Sequence, residues 1–270
     1  MDQENNLLLG TDRMIARTDG PIGWIVFNNQ ARRNACSTDM WAAIPGIIDT
    51  FETNPAVRVV VLRGAGETAF VSGADISEFE KTRSSAEANI GYEKLTEDAG
   101  KRIAECTKPT IAMIHGFCIG GGVSIAVGCD LRLSSEDARF GVPAVRLGLG
   151  YGAAGVKKLM DLVGPSFTKE IFFTARHFTA QEALSMGLVN RVLPKAELES
   201  YVRNYCATIA DNAPMTINAL KRTVAELAKV SPQADIAFCN RLVMECFDSA
   251  DFVEGRRAFM EKRQPRFQGR

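Results

Sequence analysis

The chain has 270 residues, 46% hydrophobic and 24% charged, and its 32 basic and 32 acidic side chains cancel to a formal charge of zero. That composition supports a full core and excludes disordered, collagen-like and coiled-coil chains. With no global field, neither nucleic acid nor an anionic membrane is an expected partner, and any anion site must be built locally.

The seven cysteines are odd in number and contain no C-x-x-C pair, so they read as buried thiols in a reducing compartment rather than a disulfide framework. Neither His115 nor His177 has ligand spacing with a cysteine, and no metal is expected. MDQENNLLLG has no basic region and does not read as a secretory signal. The longest uncharged run, Pro109 to Cys129, is divided by His115 and three glycines and does not read as a membrane span. A cytoplasmic, soluble protein is expected.

In chain order, a short strand near Met14 to Arg17 precedes one over Ile22 to Asn28. Ser37, Thr38 or Asp39 can cap a helix running to about Thr53, with Pro45 implying a late start or a kink. Val57 to Leu62 is a near-continuous β-branched run, the mark of a strand buried on both faces. A Gly-rich loop and a polar, helical stretch from Ser77 to about Glu105 follow. Thr110 to Ile114 is the next buried strand, and a helix from Gly120 ends near Gly128.

Short strands at Leu131–Leu133 and Arg139–Phe140 lead into helices at Val156–Val163, Ser166–Thr174 and Thr179–Met186. Thr179 and Glu182 form a capping box for the last of these, and Gly187 stops it. After a strand at Val189–Leu193 the chain is helix on helix. An α/β core over residues 1–200 and a helical region over 201–270 are therefore expected.

Two loops carry the sharpest signal: Phe70-Val71-Ser72-Gly73-Ala74-Asp75-Ile76, and His115-Gly116-Phe117-Cys118-Ile119-Gly120-Gly121-Gly122. Glycines opening a helix let other groups approach the backbone and leave unpaired N–H groups at its positive end. Two such sets on neighbouring strand ends can aim two donors at one oxygen, an oxyanion hole. The alternative is that the glycines only permit tight helix–strand packing. Neither loop has the dinucleotide pattern G-x-G-x-x-G or the G-K-[ST] of a phosphate loop. Gly122-Val123-Ser124-Ile125-Ala126 misses the nucleophile-elbow pattern by one residue, which disfavours a serine hydrolase. His115 reads as a satisfied strand-end histidine and His177 as a surface one.

The segment KPTIAMIHGFCIGGGVSIAVGCDLRLSSEDARFGVPAVRLGLGYGAAG, with FVSGADI before it and FTAQEALSMGLVNRVLP and FMEKRQPRF after it, resembles the enoyl-CoA hydratase/isomerase (crotonase) superfamily from about Arg13 to Phe267. The resemblance implies a spiral of ββα units with a C-terminal helical region that builds trimers or dimers of trimers. It also implies an acyl-CoA thioester as substrate, with coenzyme A arriving as part of that substrate and no further cofactor. The two donors to an enolate oxygen map to Ala74 and Gly121. Ser72 and Ala74-Asp75-Ile76-Ser77 border the pantetheine and thioester, and Ala31, Arg32 and Asn34-Ala35 resemble the segment beside the adenine and phosphates. Arg256 to Arg270, with six basic residues against Glu261 alone, reads as a solvated basic face, a CoA phosphate being the alternative partner.

Hydratases of this family carry two glutamates, at positions that are here Ser124 and Ala144. Water addition needs carboxylates to deprotonate water and return a proton to the α-carbon, so ordinary hydration is not expected of this substrate site. Tyr151 resembles the tyrosine of methylmalonyl-CoA decarboxylases, although those carry histidine where this chain has Ala74. A hydratase-like lyase with a non-standard acid–base set, a malonyl-type decarboxylase and a non-catalytic acyl-CoA binder all remain open. Glu93, Glu97 and Asp98 read as exposed helical acids, Asp130 as structural, and Asp75 as a loop-fixing acceptor.

Overall fold

Side chains alternate between the two faces of a strand, and strand β3 (Val59–Gly64) is apolar on both. Val60 and Leu62 enter one core with Ile25, Phe27, Ala112 and Ile114. Val59 and Val61 enter a second core with Ile22, Trp24, Ile111 and Met113. These partners come from β2 (Ile22–Phe27) and β5 (Thr110–Ile114), which flank β3 in parallel. The computed structural model describes residues 10–78, 86–147, 151–229 and 235–270. Adding β1 (Met14–Asp19), β7 (Leu131–Ser135) and β10 (Arg191–Leu193) gives a six-stranded sheet of order β1-β2-β3-β5-β7-β10, antiparallel only at β1–β2.

A second sheet is built from very short strands, of which the sequence reading found only the one at Arg139: β4 (Ala69–Val71), β6 (Phe117–Ile119), β8 (Arg139–Gly141) and β9 (Phe178–Thr179), in the order β4-β6-β8-β9. Three times the chain passes from the large sheet to the small one and then into a helix. The pairs β3–β4, β5–β6 and β7–β8 lead to α2 (Ala86–Glu105), α3 (Gly121–Gly128) and α4 (Ala153–Thr174). This is the expected spiral of ββα turns. Because β4 and β6 pair in parallel, the two glycine loops leave adjacent strand ends of the small sheet, not of the large one.

Helix α1 (Thr38–Thr53) lies between β2 and β3 and buries Met40, Ile44, Ile47, Ile48 and Phe51 in the first core. It starts at Thr38 and continues through Pro45, so the late start implied by the proline is not found. Its N-terminus is capped from a distance. The Ser37 side chain makes no capping bond, and Glu78 Oε2 instead accepts from Thr38 N–H at 2.8 Å. In α4, Gly164 (φ 74, ψ 168) followed by Pro165 breaks the helix where two segments were expected. Both bonds of the Thr179–Glu182 capping box form at the start of α5 (Ala180–Ser185).

Helix α6 (Leu198–Ala210) covers the second face of the large sheet through Leu198, Val202 and Cys206. The boundary expected near residue 200 therefore falls inside a helix that packs with the sheet. Beyond it, α7 (Pro214–Leu227), α8 (Ile236–Phe247) and α9 (Ala250–Glu261) leave Leu220, Val224, Leu227, Met244 and Val253 exposed. The last residues turn back. Asp251, buried on α9, accepts from the N–H groups of Gln268 and Gly269 at 2.6 and 2.8 Å. No helix among the described residues is long and apolar enough to cross a membrane.

Candidate active site

The backbone around Ala74 is pinned on both sides. Cys36 N–H donates to Gly73 O at 2.8 Å and Asp75 N–H donates to Cys36 O at 3.0 Å, an exchange that does not use the N–H of Ala74. Gly73 holds φ at 116°, which a side chain would strain. Asp75 then fixes the turn that follows. It is buried, and its Oδ1 accepts from Ser77 N–H at 3.1 Å, Ser77 Oγ at 2.7 Å and Arg32 Nη1 at 2.9 Å. Burial opposes its ionisation, but the bonds from Ser77 and the Arg32 guanidinium prevail and hold the carboxyl below its ordinary value.

The second loop meets the first at van der Waals distance. A Cβ placed on Gly122 would stand 2.1 Å from Val71 O, so only glycine fits there. One placed on Gly121 would stand 3.7 Å from Ala74 N and 3.2 Å from Trp41 Cζ2. Gly121 is the first residue of α3, and its N–H is among those with no intrahelical acceptor. Close packing, one of the two readings left open for these glycines, is thus found, and it brings Gly121 to the backbone of Ala74.

A cavity of about 290 Å³ opens over these loops. Ser72, Gly73 and Ala74 line it from the first loop, and Gly120, Gly121, Ser124 and Val127 line it from the second loop and α3. Val142, Pro143 and Ala144 follow β8, and Tyr151, Gly155 and Lys158 stand at and on α4. Of the expected site residues, Ser72, Ala74, Gly121, Ser124, Ala144 and Tyr151 therefore come together on one cavity. Arg32, Ala35, Asp75 and Ser77 sit behind its rim. Ser72 Oγ donates to Arg32 O at 3.1 Å, and Asn29 Nδ2 donates to Ala35 O at 2.9 Å. Ala31 is exposed beside them. Ile76 occupies the same turn, but its side chain lies outside the described residues, as do Gly148 to Gly150 of the LGLGY motif.

Ser124 and Tyr151 are hydrogen-bonded to each other, Oγ to Oη, at 2.9 Å. The Tyr151 ring packs edge-on against Phe172 with centroids 5.0 Å apart. Ala144 is 5% exposed. Neither of the two positions where a carboxylate pair was sought thus carries one, and a pair of neutral hydroxyls stands at the first. The carboxylates on the cavity come from α2 instead. Glu93 and Glu97 are exposed and also line it, together with Tyr92 and Thr96, whereas Asp98 does not. Asp130 is structural, accepting from Thr110 N–H at 2.7 Å and from Lys221 Nζ at 2.7 Å.

The sequence reading overlooked Trp41, Tyr92 and Lys158. Lys158 was detectable, since it shares the i, i+3, i+4 stripe with Gly155 and the buried Leu159. His115 is corrected: it is 4% exposed and its Nδ1 has no hydrogen-bond partner among the described residues. Burial and the nearby Arg63 hold its pKa below the ordinary value.

The enoyl-CoA hydratase/isomerase family profile matches residues 17–270. The chain belongs to the enoyl-CoA hydratase/isomerase family. The chain is similar to the short-chain-enoyl-CoA hydratase of Clostridium acetobutylicum, 34% identical over 94% of this chain and 96% of that one. It is also similar to the peroxisomal Δ(3,5)-Δ(2,4)-dienoyl-CoA isomerase of Arabidopsis thaliana, 32% identical over 93% and 94% of the two chains. Its fold matches the crystal structure of a putative enoyl-CoA hydratase/isomerase family protein from Hyphomonas neptunium with a TM-score of 0.90 and 38% identity, covering 98% of this chain and 100% of that one.

Proposed function

We propose that this chain is a hydratase-like lyase of acyl-CoA thioesters that works with a non-standard acid–base set. The observation that carries this reading is the cavity in which Ala74 and Gly121 approach each other while Ser124 and Tyr151 pair at 2.9 Å. The two backbone N–H groups hold the thioester oxygen as it becomes an enolate, a charge that preorganised donors stabilise without rearranging. In hydration, water oxygen bonds to the β-carbon, the π electrons move toward the thioester oxygen, and the enolate collapses as the α-carbon takes a proton. The Tyr151–Ser124 pair passes protons as hydroxyls, one accepting while the other donates. Coenzyme A arrives as part of the substrate, and the reaction calls for no separate cofactor. Arg32, Ala31, Ala35, Asp75, Ile76 and Ser77 border the CoA moiety at the rim.

Decarboxylation of a malonyl-type thioester is the second reading, and the absence of carboxylates at Ser124 and Ala144 favours it. Loss of CO₂ leaves the bonding electrons in the enolate, so no base is needed, only orientation, the two N–H donors and a later proton to the α-carbon. The exposed apolar side chains of α7, α8 and α9 support assembly of the helical region as a homotrimer or dimer of trimers. Cys36, Cys106, Cys118, Cys129 and Cys206 are free and buried, which supports a reducing, cytoplasmic setting.

Mass-spectrometric screening of an acyl-CoA panel with α,β-unsaturated and malonyl-type thioesters separates these readings, and binding without turnover would leave a non-catalytic member. On the substrate so found, Tyr151→Phe keeps the ring against Phe172 and deletes the hydroxyl bonded to Ser124. Its kcat is expected to fall by about 10² with an unchanged melting temperature. An unchanged kcat with a lowered melting temperature would make Tyr151 a packing residue.

A further inference from the structure

Lys158 stands where α2, α3 and α4 meet. Its neighbour Lys157 points outward and pairs with Asp161 at 2.7 Å, but Lys158 lies on the inner stripe of α4 and its side chain reaches the cavity wall. Two glycines lie at ordinary contact distance along this seam. A Cβ on Gly100 would stand 3.5 Å from Lys158 Nζ, and one on Gly128 would stand 3.5 Å from Gly100 O. The ammonium donates to the Gly100 carbonyl at 3.2 Å. Among the described residues it forms no ion pair, so one of its three donors is used and two are not.

Burying an ammonium has a cost that only a partner offsets. Burial does act on Lys158, holding its pKa below the ordinary lysine value against the opposing influence of Glu97. The surrounding wall contributes Val127, Ala144 and Tyr92, and the acids whose charge reaches Lys158, Glu97 and Glu105, form no ion pair with it among the described residues. Glu93 and Glu97 also line the cavity, but both are exposed, so water screens their charges while Lys158 is half-buried. A ligand carboxylate placed against the ammonium would supply the missing charge and accept both unused donors.

We propose that Lys158 receives a carboxylate at the far end of the acyl chain, which makes the preferred substrates CoA thioesters of dicarboxylic acids. The proposal rests on the acyl-CoA reading of the cavity and adds the chemistry of the acyl terminus. In this role Lys158 sets specificity and takes no part in the enolate step.

Binding of saturated thioesters, which have no double bond to hydrate and are prepared fresh, tests this without depending on turnover. Calorimetric titration would compare succinyl-, glutaryl- and adipoyl-CoA with butyryl-, valeryl- and hexanoyl-CoA, pair by pair at equal chain length. At the best-fitting length the dicarboxylic thioester is expected to bind at least about tenfold tighter than its partner, the effect of a partly desolvated charge pair. Lys158→Met is expected to abolish that preference and Lys158→Arg to retain it. Equal binding within every pair by the unaltered protein, or a preference that survives Lys158→Met, would overturn the proposal while leaving the acyl-CoA reading intact. Failure of every thioester to bind would overturn both.

Discussion

Replacing Gly121 with proline is expected to lower kcat/KM by about 10² to 10³, the usual consequence of losing one oxyanion donor. The substitution removes the N–H outright, and the first position of a helix is where proline is best tolerated, because its N–H has no intrahelical acceptor there. Gly121 occupies that position in α3. The new side chain meets Trp41 Cζ2 at 3.2 Å, so Gly121→Ala is the matched control. It brings the same Cβ and keeps the donor, and the difference between the two variants isolates the hydrogen bond. Circular dichroism and steady-state kinetics on both proteins check the result. Equal activity of the proline and alanine variants, both folded, would remove Gly121 from the oxyanion hole.

The second large effect is a gain. The unaltered protein is expected to hydrate crotonyl-CoA slowly, and Ser124→Glu combined with Ala144→Glu is expected to raise that rate by about 10² or more, the range general acid–base catalysis supplies. Both positions face the cavity, one from the first turn of α3 and the other at the start of the turn Ala144–Leu147. The glutamate at 124 replaces the hydroxyl bonded to Tyr151, and the one at 144 replaces a buried methyl. Initial rates of crotonyl-CoA hydration decide the matter. An unaltered protein as fast as the double variant would mean that a base is already present, with Glu93 and Glu97 as the carboxylates on the cavity wall.

Where a single physical pattern fixes an element, the sequence was enough to find it. The short apolar runs of β2, β3 and β5, the capping box at Thr179 and the glycine–proline break at Gly164 are all local, and each is found at or within a few residues of its expected place. Of the small sheet only β8 was found; β4 and β6 at three residues each and β9 at two are too short for any alternation to show. That sheet nevertheless sets the distance between Ala74 and Gly121. Both loops were found from their glycines, while the reason they meet was not.

Pairings across the chain were also hidden. Ser124 and Tyr151 each drew notice, one as a departure and one as a candidate, but only the turn from β8 into α4 brings their hydroxyls together. Glu78 looked like part of a polar stretch and proves to cap α1, forty positions earlier in sequence. Glu93 and Glu97 were read as exposed acids, and they are exposed. Their helix also forms one wall of the cavity, which exposure and spacing alone do not reveal. Asp75, by contrast, was read correctly as a loop-fixing acceptor, because an Asx turn to Ser77 is a two-residue event.

The most direct test of enolate stabilisation by Ala74 and Gly121 uses acetoacetyl-CoA, whose enolate has its own near-ultraviolet absorbance and forms by exchange with solvent, without help from an enzymic base. Mixed with the unaltered protein at a pH below the pKa of the free thioester, it is expected to develop the enolate band on binding, and the same mixture with Gly121→Pro is expected to show little of it. Tight binding of acetoacetyl-CoA by the unaltered protein with no enolate band would contradict an oxyanion hole at these two residues.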